Sequence, residues 1–369
     1  MHTPISKKRQ MEKNNFLNDI YIDTQTKCFV IKKGIFVYYN SSEIDELLDY
    51  FITNYKDYKL FYCENGEPIT PSCILALYRI HECFLEHKIN TKKFVIFYEN
   101  KSDDYERLLG FFQFTFYHYP YHLNFVTPDA FFNSGDYPFP LKEDFEKTFL
   151  SLNRTAKEHK IKFKSFFDEN GLKDKSYYSF LWKDEKNFDE NYIQHTHARH
   201  EELIHLYDNT AINLLCESNF NSTYLSIQAT FLSEKVFRAI AFPRIFVLIG
   251  PYQGLAYLRK MGFKTFSNVI DESYDEIYDD DARMEKIEKL ILELSNKSKE
   301  EIYNMWKECL EIFEHNRKSI LYHAHSMRSF FMKNLPKEYM ILDRVGYFPS
   351  LERTKKLKEY NKYENNDNS

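Results

Sequence analysis

The sequence predicts an α/β protein with two parallel sheets, one in each half of the chain. Three observations support this fold class. Short runs rich in β-branched and aromatic residues alternate with amphipathic helical segments in both halves, as in parallel strands joined by crossover helices. Turn-forming residues concentrate at 133–140, between the two alternating series. The chain has 369 residues, a length typical of about two domains.

The first alternating series occupies residues 1–145, which we expect to form one domain with a doubly wound parallel sheet. Ser41 or Ser42 can cap its first helix, and Pro71 suits the first turn of the next. The predicted elements are, in order, strand 29–39, helix 42–54, strand 59–63, helix 71–85, strand 94–98, helix 103–112 and strand 121–126.

The second series occupies residues 146–298 and is expected to form a second domain. Gly171 and Gly262 are placed to end two of its helices. The predicted elements are strand 149–152, helix 155–170, strand 177–182, strand 211–216, helix 234–241, strand 244–249, helix 255–261, strand 264–269 and helix 281–295. A long amphipathic helix or helix pair follows in the region 299–335, and the charged tail 351–369 is expected to be disordered.

The composition excludes several classes of protein. With only 9 glycines there is no glycine-rich phosphate loop of either common type. A net charge of −5 argues against a surface coated with bases for nucleic acid. The longest apolar run, 239–250, is interrupted by Arg244 and is too short to span a membrane. A polar start without an apolar signal segment, and six cysteines without a C-x-x-C pair, predict a cytoplasmic protein with reduced thiols.

Ligands of such sheets bind beyond the carboxyl ends of the strands, so the residues after strands are the informative ones. Ser233 can cap a helix whose first turn contains Glu234 and Lys235. The start of a helix is a natural seat for a phosphate, and it ordinarily disfavours a lysine. A bound anion would explain Lys235; the alternative is that this lysine only points into water.

The same residues carry a resemblance to a known family. Ser233-Glu234-Lys235, a helix, and then Pro243 before a strand that ends at Gly250 resemble the C-terminal half of the fucosyltransferase-type glycosyltransferases. Segments 262–273 and 149–154 are similar to two further motifs of that family, so the resemblance covers about residues 149–290. Phe231 departs from the pattern, because the family usually has a tyrosine there.

The resemblance implies a GT-B fold, in which two Rossmann-like domains enclose a cleft and C-terminal helices follow. It implies that Arg154 and Lys235 neutralise the diphosphate of a nucleotide-sugar donor and that Glu234 binds its ribose. Glu217 and Asn219, which follow a strand, would lie near the donor. Ser233 and Gly250 complete the predicted donor-binding set, and the transfer would be inverting. The alternative for Glu217 is an exposed acidic loop.

The general base should come from the N-terminal acceptor domain, where Glu64 and Glu99 stand closest to strand ends. Each could also be an ordinary loop acid. No spacing of histidines, cysteines and acids fixes a metal site, so we expect metal-independent transfer without a cofactor other than the donor.

Two alternatives remain open. One is a phage or viral enzyme that glycosylates modified DNA bases, which would need a basic face on the N-terminal domain, formed by Lys88, Lys92, Lys93, Lys101 and Arg107. The other is a non-catalytic binding or structural protein that keeps the fold. A glycan is the first-choice acceptor.

Overall fold

The computed structural model of the protein describes residues 20–31, 41–63, 71–98, 103–118, 140–188, 200–221, 223–224, 227–228 and 230–334. The chain divides into two compact units. The first contains the described residues between 20 and 118, with 223–228 and 328–334, and the second contains 140–221 and 230–327. Within the described part of the chain, no helix has both the length and the apolar character that crossing a membrane requires.

The first unit is built on a five-stranded sheet with the order β1-β2-β3-β4-β5. The first two strands form an antiparallel hairpin, and β2 to β5 are parallel. The strands are β1 Ile20–Asp23, β2 Cys28–Ile31, β3 Lys59–Cys63, β4 Phe94–Tyr98 and β5 Thr115–His118. The helices that connect the parallel strands are α1 Ser41–Tyr55, α2 Pro71–Glu86 and α3 Asp103–Phe111.

One face of this sheet packs against the three helices. Alternate strand residues such as Phe29, Leu60 and Phe94 are fully or almost fully buried in one cluster with Phe51 of α1 and Phe84 of α2. A period of two in the strands and of three to four in the helices produces this arrangement, because it directs apolar side chains to a shared side. Much of the high aromatic content therefore serves the core.

The second unit contains a five-stranded sheet with the order β12-β9-β6-β7-β8. Strands β12, β9, β6 and β7 are parallel, and β8 pairs antiparallel at the edge. The bounds are β6 Lys147–Asn153, β7 Ser176–Phe180, β8 Glu185–Lys186, β9 Thr210–Cys216 and β12 Ile245–Ile249. A two-stranded hairpin, β10 Thr223–Tyr224 with β11 Ile227–Gln228, belongs to the first unit.

Helices surround the second sheet and extend to the end of the described chain. They are α4 Glu158–Glu169, α5 His200–Asp208, α6 Glu234–Ala241, α7 Gly254–Lys260, α8 Asp280–Ser295, α9 Lys299–Glu308 and α10 Leu310–Asn334. Phe149 of β6 shares a buried cluster with Phe163 of α4, whereas the next residue, Leu150, clusters with Leu206 of α5. Successive residues of the central strand thus support both layers of helices.

The two sheets differ in winding. In the first, the described parallel strands follow chain order from β2 to β5. In the second, the chain runs outward from β6 to β8, returns to the other side of β6 as β9, and continues to β12. The expected double winding is therefore seen in the second sheet. Its direction reverses between β6 and β9, and at such a reversal a crevice forms beyond the carboxyl ends of the strands.

The predicted strand 264–269 is wrong. Lys264 N–H donates to Asn316 Oδ1 at 2.7 Å, and Asn316 Nδ2 donates back to the carbonyl of Lys264. Phe266 N–H donates to the buried Glu272 carboxylate at 2.6 Å. Side-chain groups thus take the place of a neighbouring strand, which a pattern of apolar residues cannot reveal.

Other boundaries follow the sequence closely. Gly171 and Gly262 have φ values of +63° and +92° directly after α4 and α7, as their helix-ending role requires. The C-terminal region is a helix pair that divides at Cys309. The predicted strand 121–126 lies outside the described residues, while the observed β5 was missed within an aromatic run.

Candidate functional site

The carboxyl ends of β6, β9 and β12 lie at one edge of the second sheet, because the three strands are parallel neighbours. Two helices begin near this edge, α4 after β6 and α6 before β12. Glu217 directly follows β9, and Gly250 directly follows β12. The edge includes the winding reversal, where doubly wound sheets bind their ligands.

Glu217 is the centre of the site and its side chain is fully buried. Its Oε1 accepts a hydrogen bond from Ser233 N–H at 2.9 Å, and its Oε2 accepts one from Ser218 N–H at 3.0 Å. Its own N–H donates to the carbonyl of Ile249 at 2.9 Å. The carboxylate therefore joins the end of β9 to the start of α6, and it is not the exposed loop acid considered as an alternative.

The start of α6 has the geometry that the sequence predicts. Ser233 is the N-cap, and its Oγ accepts a hydrogen bond from Lys235 N–H at 3.4 Å. The Lys235 ammonium lies 3.5 Å from the same Oγ and 3.9 Å from Glu217 Oε2. Its side chain is 20% exposed, so Lys235 packs over the carboxylate rather than extending into water.

The start of α4 brings three further basic side chains to Glu217. Lys157 is the N-cap, and its ammonium donates to the carbonyl of Ser218. His159 Nε2 lies 3.0 Å from the carbonyl of Glu217, so it donates as a neutral imidazole N–H. Lys160 follows, close enough to Lys157, Lys235 and Glu217 for their charges to shift its pKa.

Lys160 is the most unusual of these residues. It is only 3% exposed and no hydrogen bond or ion pair of its ammonium occurs among the described residues, but the ammonium is not one of the fully buried polar atoms that lack a partner. Burial and the positive charge of Lys235 lower its pKa from 10.5 to about 8. A buried lysine is ordinarily paired, so this one indicates a place for an anion.

His159 has a different role. Burial lowers its pKa from 6.5 to about 3, and the charges of Lys160, Lys157 and Lys235 act in the same direction. Its ring stacks on Phe220 at 5.4 Å between centroids, and the Arg283 guanidinium lies over Phe220 at 4.4 Å. His159 is thus a neutral group that holds the loop after β9.

Two further predicted residues belong to the same edge. A Cβ added to Gly250 would lie 3.5 Å from Glu217 Cγ and 3.1 Å from Leu248 Cγ, so the backbone passes close to the carboxylate side chain. Asn219 is 3% exposed and lies two residues after Glu217. The structure therefore brings Glu217, Ser233, Lys235 and Gly250 together.

Of the remaining predicted site residues, the structure describes Arg154 and Glu234. Arg154 occupies the exposed turn between β6 and α4, and its convergence with Lys235 stays a prediction. Glu234 Oε1 lies 4.0 Å from Arg238 Nη1, one turn further along α6. Glu64 and Glu99 follow β3 and β4 directly and lie outside the described residues.

Lys157, His159 and Lys160 were missed by the reasoning from sequence. The available signal was the one that identified Lys235, namely bases in the first turn of a helix that follows a parallel strand. Arg154 stands nearer to the end of β6 and carries the same kind of signal. The boundary of α4 also mattered, because the predicted start at 155 places the lysines deeper in the helix than the observed start at Glu158.

The charges of the assembled site favour an anion. Three lysines and one carboxylate lie at the end of β9, which gives a net charge of +2 when all three lysines are protonated and His159 is neutral. Among the described residues, no group of three histidine, cysteine or acidic side chains is placed to hold a metal ion. Phosphate oxygens commonly accept hydrogen bonds from lysine ammonium groups and from the N–H groups at helix starts.

Three of the bases considered for a DNA-binding face lie at the amino end of β4. Lys88, Lys92 and Lys93 precede β4 and therefore stand at its amino end. Arg107 lies on α3, which follows that strand, and it pairs with Asp104 at 3.4 Å. Lys101 lies outside the described residues. The described bases do not form one surface next to the ends of the parallel strands.

Among known proteins, the chain has a distant similarity to a solved structure. No protein-family model matches the chain, and no curated protein matches it significantly. Among solved structures the chain is similar to one described as the crystal structure of an alpha1,3-fucosyltransferase. The sequence identity is 13%, the match covers 89% of this chain and 98% of that chain, and the TM-score is 0.29. A likeness at this level leaves the site geometry as the basis for a functional proposal.

Proposed function

We propose that the protein is a glycosyltransferase that binds a nucleoside-diphosphate sugar at the edge of its second sheet. The observation that carries the proposal is that Lys157, Lys160 and Lys235 lie at the end of β9, beside the buried Glu217 and at the winding reversal. This arrangement joins two segments, 157–160 and 233–235, within the region whose motifs resemble the fucosyltransferases.

The chemistry of sugar transfer accounts for such a site. The leaving group is a nucleoside diphosphate, and the negative charge that develops on it must meet fixed donors and cations. A chain without a glycine-rich loop must supply them from side chains and helix starts. Lys160 and Lys235 provide the cations, and the start of α6 provides N–H groups. With cations from the protein, we expect the transfer to need no metal.

The other parts of the reaction are assigned from the sequence. Arg154 and Glu234 would bind the donor from the turn after β6 and the first turn of α6. Glu217 and Asn219 would contact the sugar or the nucleotide. Glu64 or Glu99 would deprotonate the acceptor hydroxyl in a single inverting displacement, because both follow strands of the first sheet. The proposed acceptor is a glycan hydroxyl.

A binding screen followed by a transfer assay tests the proposal. Calorimetry against the nucleoside diphosphates and their sugars should show a clear preference for one nucleotide. Lys235→Ala should weaken that binding by about tenfold or more, which is the effect of one lost charged hydrogen bond. The matched control is Lys162→Ala, since Lys162 is an exposed lysine of α4 that pairs with Asp281 at 2.9 Å. No binding by any nucleotide would overturn the proposal.

The transfer assay separates the alternatives. Release of the nucleoside diphosphate from the preferred donor, with retention of binding, identifies an enzyme. Tight nucleotide binding without transfer or hydrolysis, on glycan and modified-DNA acceptors alike, would favour a binding protein that keeps the fold. Loss of turnover in Glu64→Gln or Glu99→Gln with unchanged donor affinity would identify the general base.

A further inference from the structure

The four parallel strands of the first sheet begin at one edge, which we call the amino edge. It consists of residues 23–28, 55–59, 86–94 and 110–115, each of which leads into the first residue of β2, β3, β4 or β5. Three hydrogen bonds join neighbouring segments into one surface. They run from Lys59 N–H to the carbonyl of Lys27 at 2.9 Å, from Lys93 Nζ to the carbonyl of Asp57 at 3.2 Å and from Thr115 Oγ1 to the carbonyl of Lys92 at 3.0 Å.

The amino edge is basic, although the whole chain has a net charge of −5. Its six lysines and three acids give it a net charge of +3 when His87 is neutral. The acids are Asp23, Asp57 and Glu86. Four of the lysines are exposed, and among the described residues their ammonium groups form no ion pair or hydrogen bond. These four are Lys27, Lys56, Lys88 and Lys92.

The fold itself does not account for the lysines. Helices α1, α2 and α3 end at this edge, but none of them has a base in its last turn, where a positive charge would stabilise the helix dipole. Lys27 and Lys88 have φ values of +52° and +53°, in the left-handed region that favours glycine or asparagine. Their side chains are therefore available to a partner outside the protein.

Two large apolar side chains project beside these lysines. Phe111, the last residue of α3, is 71% exposed, and Leu85, in the last turn of α2, is 58% exposed. The ring of His81 lies 6.4 Å from that of Phe111, and His81 stands one helical turn before Leu85. Lys88 N–H donates to the carbonyl of Leu85 at 3.1 Å. Apolar and basic groups thus share one exposed face.

We propose that the amino edge docks on a membrane surface that contains anionic lipids. Leu85 and Phe111 enter the headgroup layer, and the exposed lysines lie against the lipid phosphates and carboxylates. The carboxyl ends of the same strands lie at the opposite edge of the sheet, so docking leaves them uncovered. The inference concerns a surface of the first unit and does not depend on the donor site proposed in the second.

The composition of the edge favours lipid over other anionic partners. The edge contains no arginine, the residue that suits bidentate contacts with the phosphates of nucleic acids. Lysine is also depleted in interfaces between proteins. A leucine and a phenylalanine next to flexible lysines are typical of surfaces that bind at the boundary between headgroups and acyl chains.

Vesicle flotation of the full chain tests the proposal. The probes are vesicles of phosphatidylcholine alone and vesicles that also contain phosphatidylserine. The wild type should bind the anionic vesicles more tightly by about a hundredfold or more, because each lysine near the surface contributes about fivefold. The binding should weaken as the salt concentration rises. No binding to anionic vesicles, or equal binding to both kinds, would overturn the proposal.

A charge variant tests the lysines without disturbing the backbone. Lys27→Asn with Lys88→Asn removes two charges, and asparagine tolerates the left-handed conformation, so the protein should fold and bind about 25-fold more weakly. The matched control is Lys183→Asn with Lys260→Asn, two exposed lysines of the second unit. The control should bind within about twofold of the wild type. Equal binding by the charge variant and the wild type would contradict the role of the amino edge.

An insertion variant separates lipid from nucleic acid. Leu85→Gln with Phe111→Gln keeps every charge and should weaken binding to anionic vesicles by about tenfold or more. Thermal unfolding verifies that each variant is folded. Unchanged vesicle binding by the insertion variant would overturn the proposal. Tighter binding of duplex DNA or RNA than of vesicles, lost in the charge variant but not in the insertion variant, would assign the edge to nucleic acid instead.

Discussion

One helix start of the second unit, that of α4, differs from the described helix starts of the first unit. In the first unit, α1 has Glu43 in its first turn, and α3 has Asp103, Asp104 and Glu106. These acids match the positive end of a helix dipole. In the second unit, α4 has Lys157 as its cap, and its first turn holds Glu158 together with His159 and Lys160. The bases of α4 oppose the dipole, so this helix start is built for something other than local stability.

The basic start of α4 also has an energetic cost. Lowering the pKa of Lys160 from 10.5 to about 8 corresponds to a cost of about 3 kcal/mol for its charge at neutral pH. No comparable group occurs at the described helix starts of the first sheet. Strain of this kind is typical of binding sites, where the ligand removes it. The second sheet is also the one whose winding reverses.

The largest expected effect is on binding. Replacing both unusual cations, in Lys160→Met with Lys235→Met, should weaken nucleoside-diphosphate binding by about a hundredfold or more, because each charged hydrogen bond contributes about 1.5–3 kcal/mol. Isothermal titration calorimetry measures the change in affinity. The same double change at two ion-paired lysines away from the site, Lys162→Met with Lys173→Met, should leave the affinity within about twofold. Equal losses in both double variants would show that Lys160 and Lys235 have no special part in binding.

Removal of the central carboxylate should have the next largest effect, on stability. Glu217→Ala leaves Ser233 N–H and Ser218 N–H without their acceptor and leaves the lysines without a counter-charge. We expect a loss of about 3 kcal/mol in the free energy of unfolding. Glu234→Ala, which removes a partly exposed carboxylate that lies 4.0 Å from Arg238, should cost less than about 1 kcal/mol. Denaturant unfolding measures both, and similar costs would contradict the central position of Glu217.

Lys160→Met should stabilise the empty protein while it weakens binding. The methionine keeps the volume and removes the buried charge, so the free energy of unfolding at pH 7 should rise by about 2 kcal/mol. Because the folded pKa lies below the unfolded value, the penalty is complete below pH 8 and disappears as the pH approaches 10.5. The gain from the substitution should therefore shrink over that interval. A destabilised variant at pH 7 would show that the ammonium has a partner.

His159 should make the second unit sensitive to acid. Its pKa is about 3 when folded, against an ordinary 6.5, so the unfolded chain takes up the proton first. The contribution is complete above pH 6.5 and is lost toward pH 3, by about 1.4 kcal/mol per pH unit. His159→Gln retains a donor for the carbonyl of Glu217 without titrating, and its unfolding should depend less on pH. Parallel acid-unfolding curves for the wild type and His159→Gln would contradict the assignment.

The smallest effect is expected in the first unit. Asp103→Asn removes one exposed acid from the start of α3 and should cost about 0.5 kcal/mol, as the helix dipole predicts. It should leave diphosphate binding unchanged. Chemical denaturation together with the calorimetric assay measures both quantities, and a change in affinity would mean that the first unit takes part in diphosphate binding.

Local pattern was sufficient for most of the fold. Strands β3 and β4 and helix α6 have their predicted bounds, because apolar runs and caps act within a few residues. The false strand at 264–269 and the missed β5 depend on partners distant in sequence, Asn316 and β4. The strand order, and with it the winding reversal, likewise comes from pairing that a single sequence does not display.

The site was predictable only in part, because some of its residues carry a local signal and others depend on how the chain packs. Ser233, Lys235 and Glu217 each carried a local signal, as a helix cap, a misplaced base and a residue after a strand. That Glu217 is buried between two helix starts, and that Lys160 lies beside Lys235, depends on the packing of α4 against the end of β9. Burial of a lysine is a property of the folded chain, and its sequence neighbours Glu158 and Lys162 gave no indication of it.

A crystal structure of the protein with its preferred nucleoside diphosphate would be decisive. Oxygens of the diphosphate should lie about 2.7–3.2 Å from the Nζ atoms of Lys160 and Lys235, with the start of α6 directed at the same group. A nucleotide bound at any other place, with Lys235 still on Glu217 and Lys160 still without an anion, would contradict the proposed donor site.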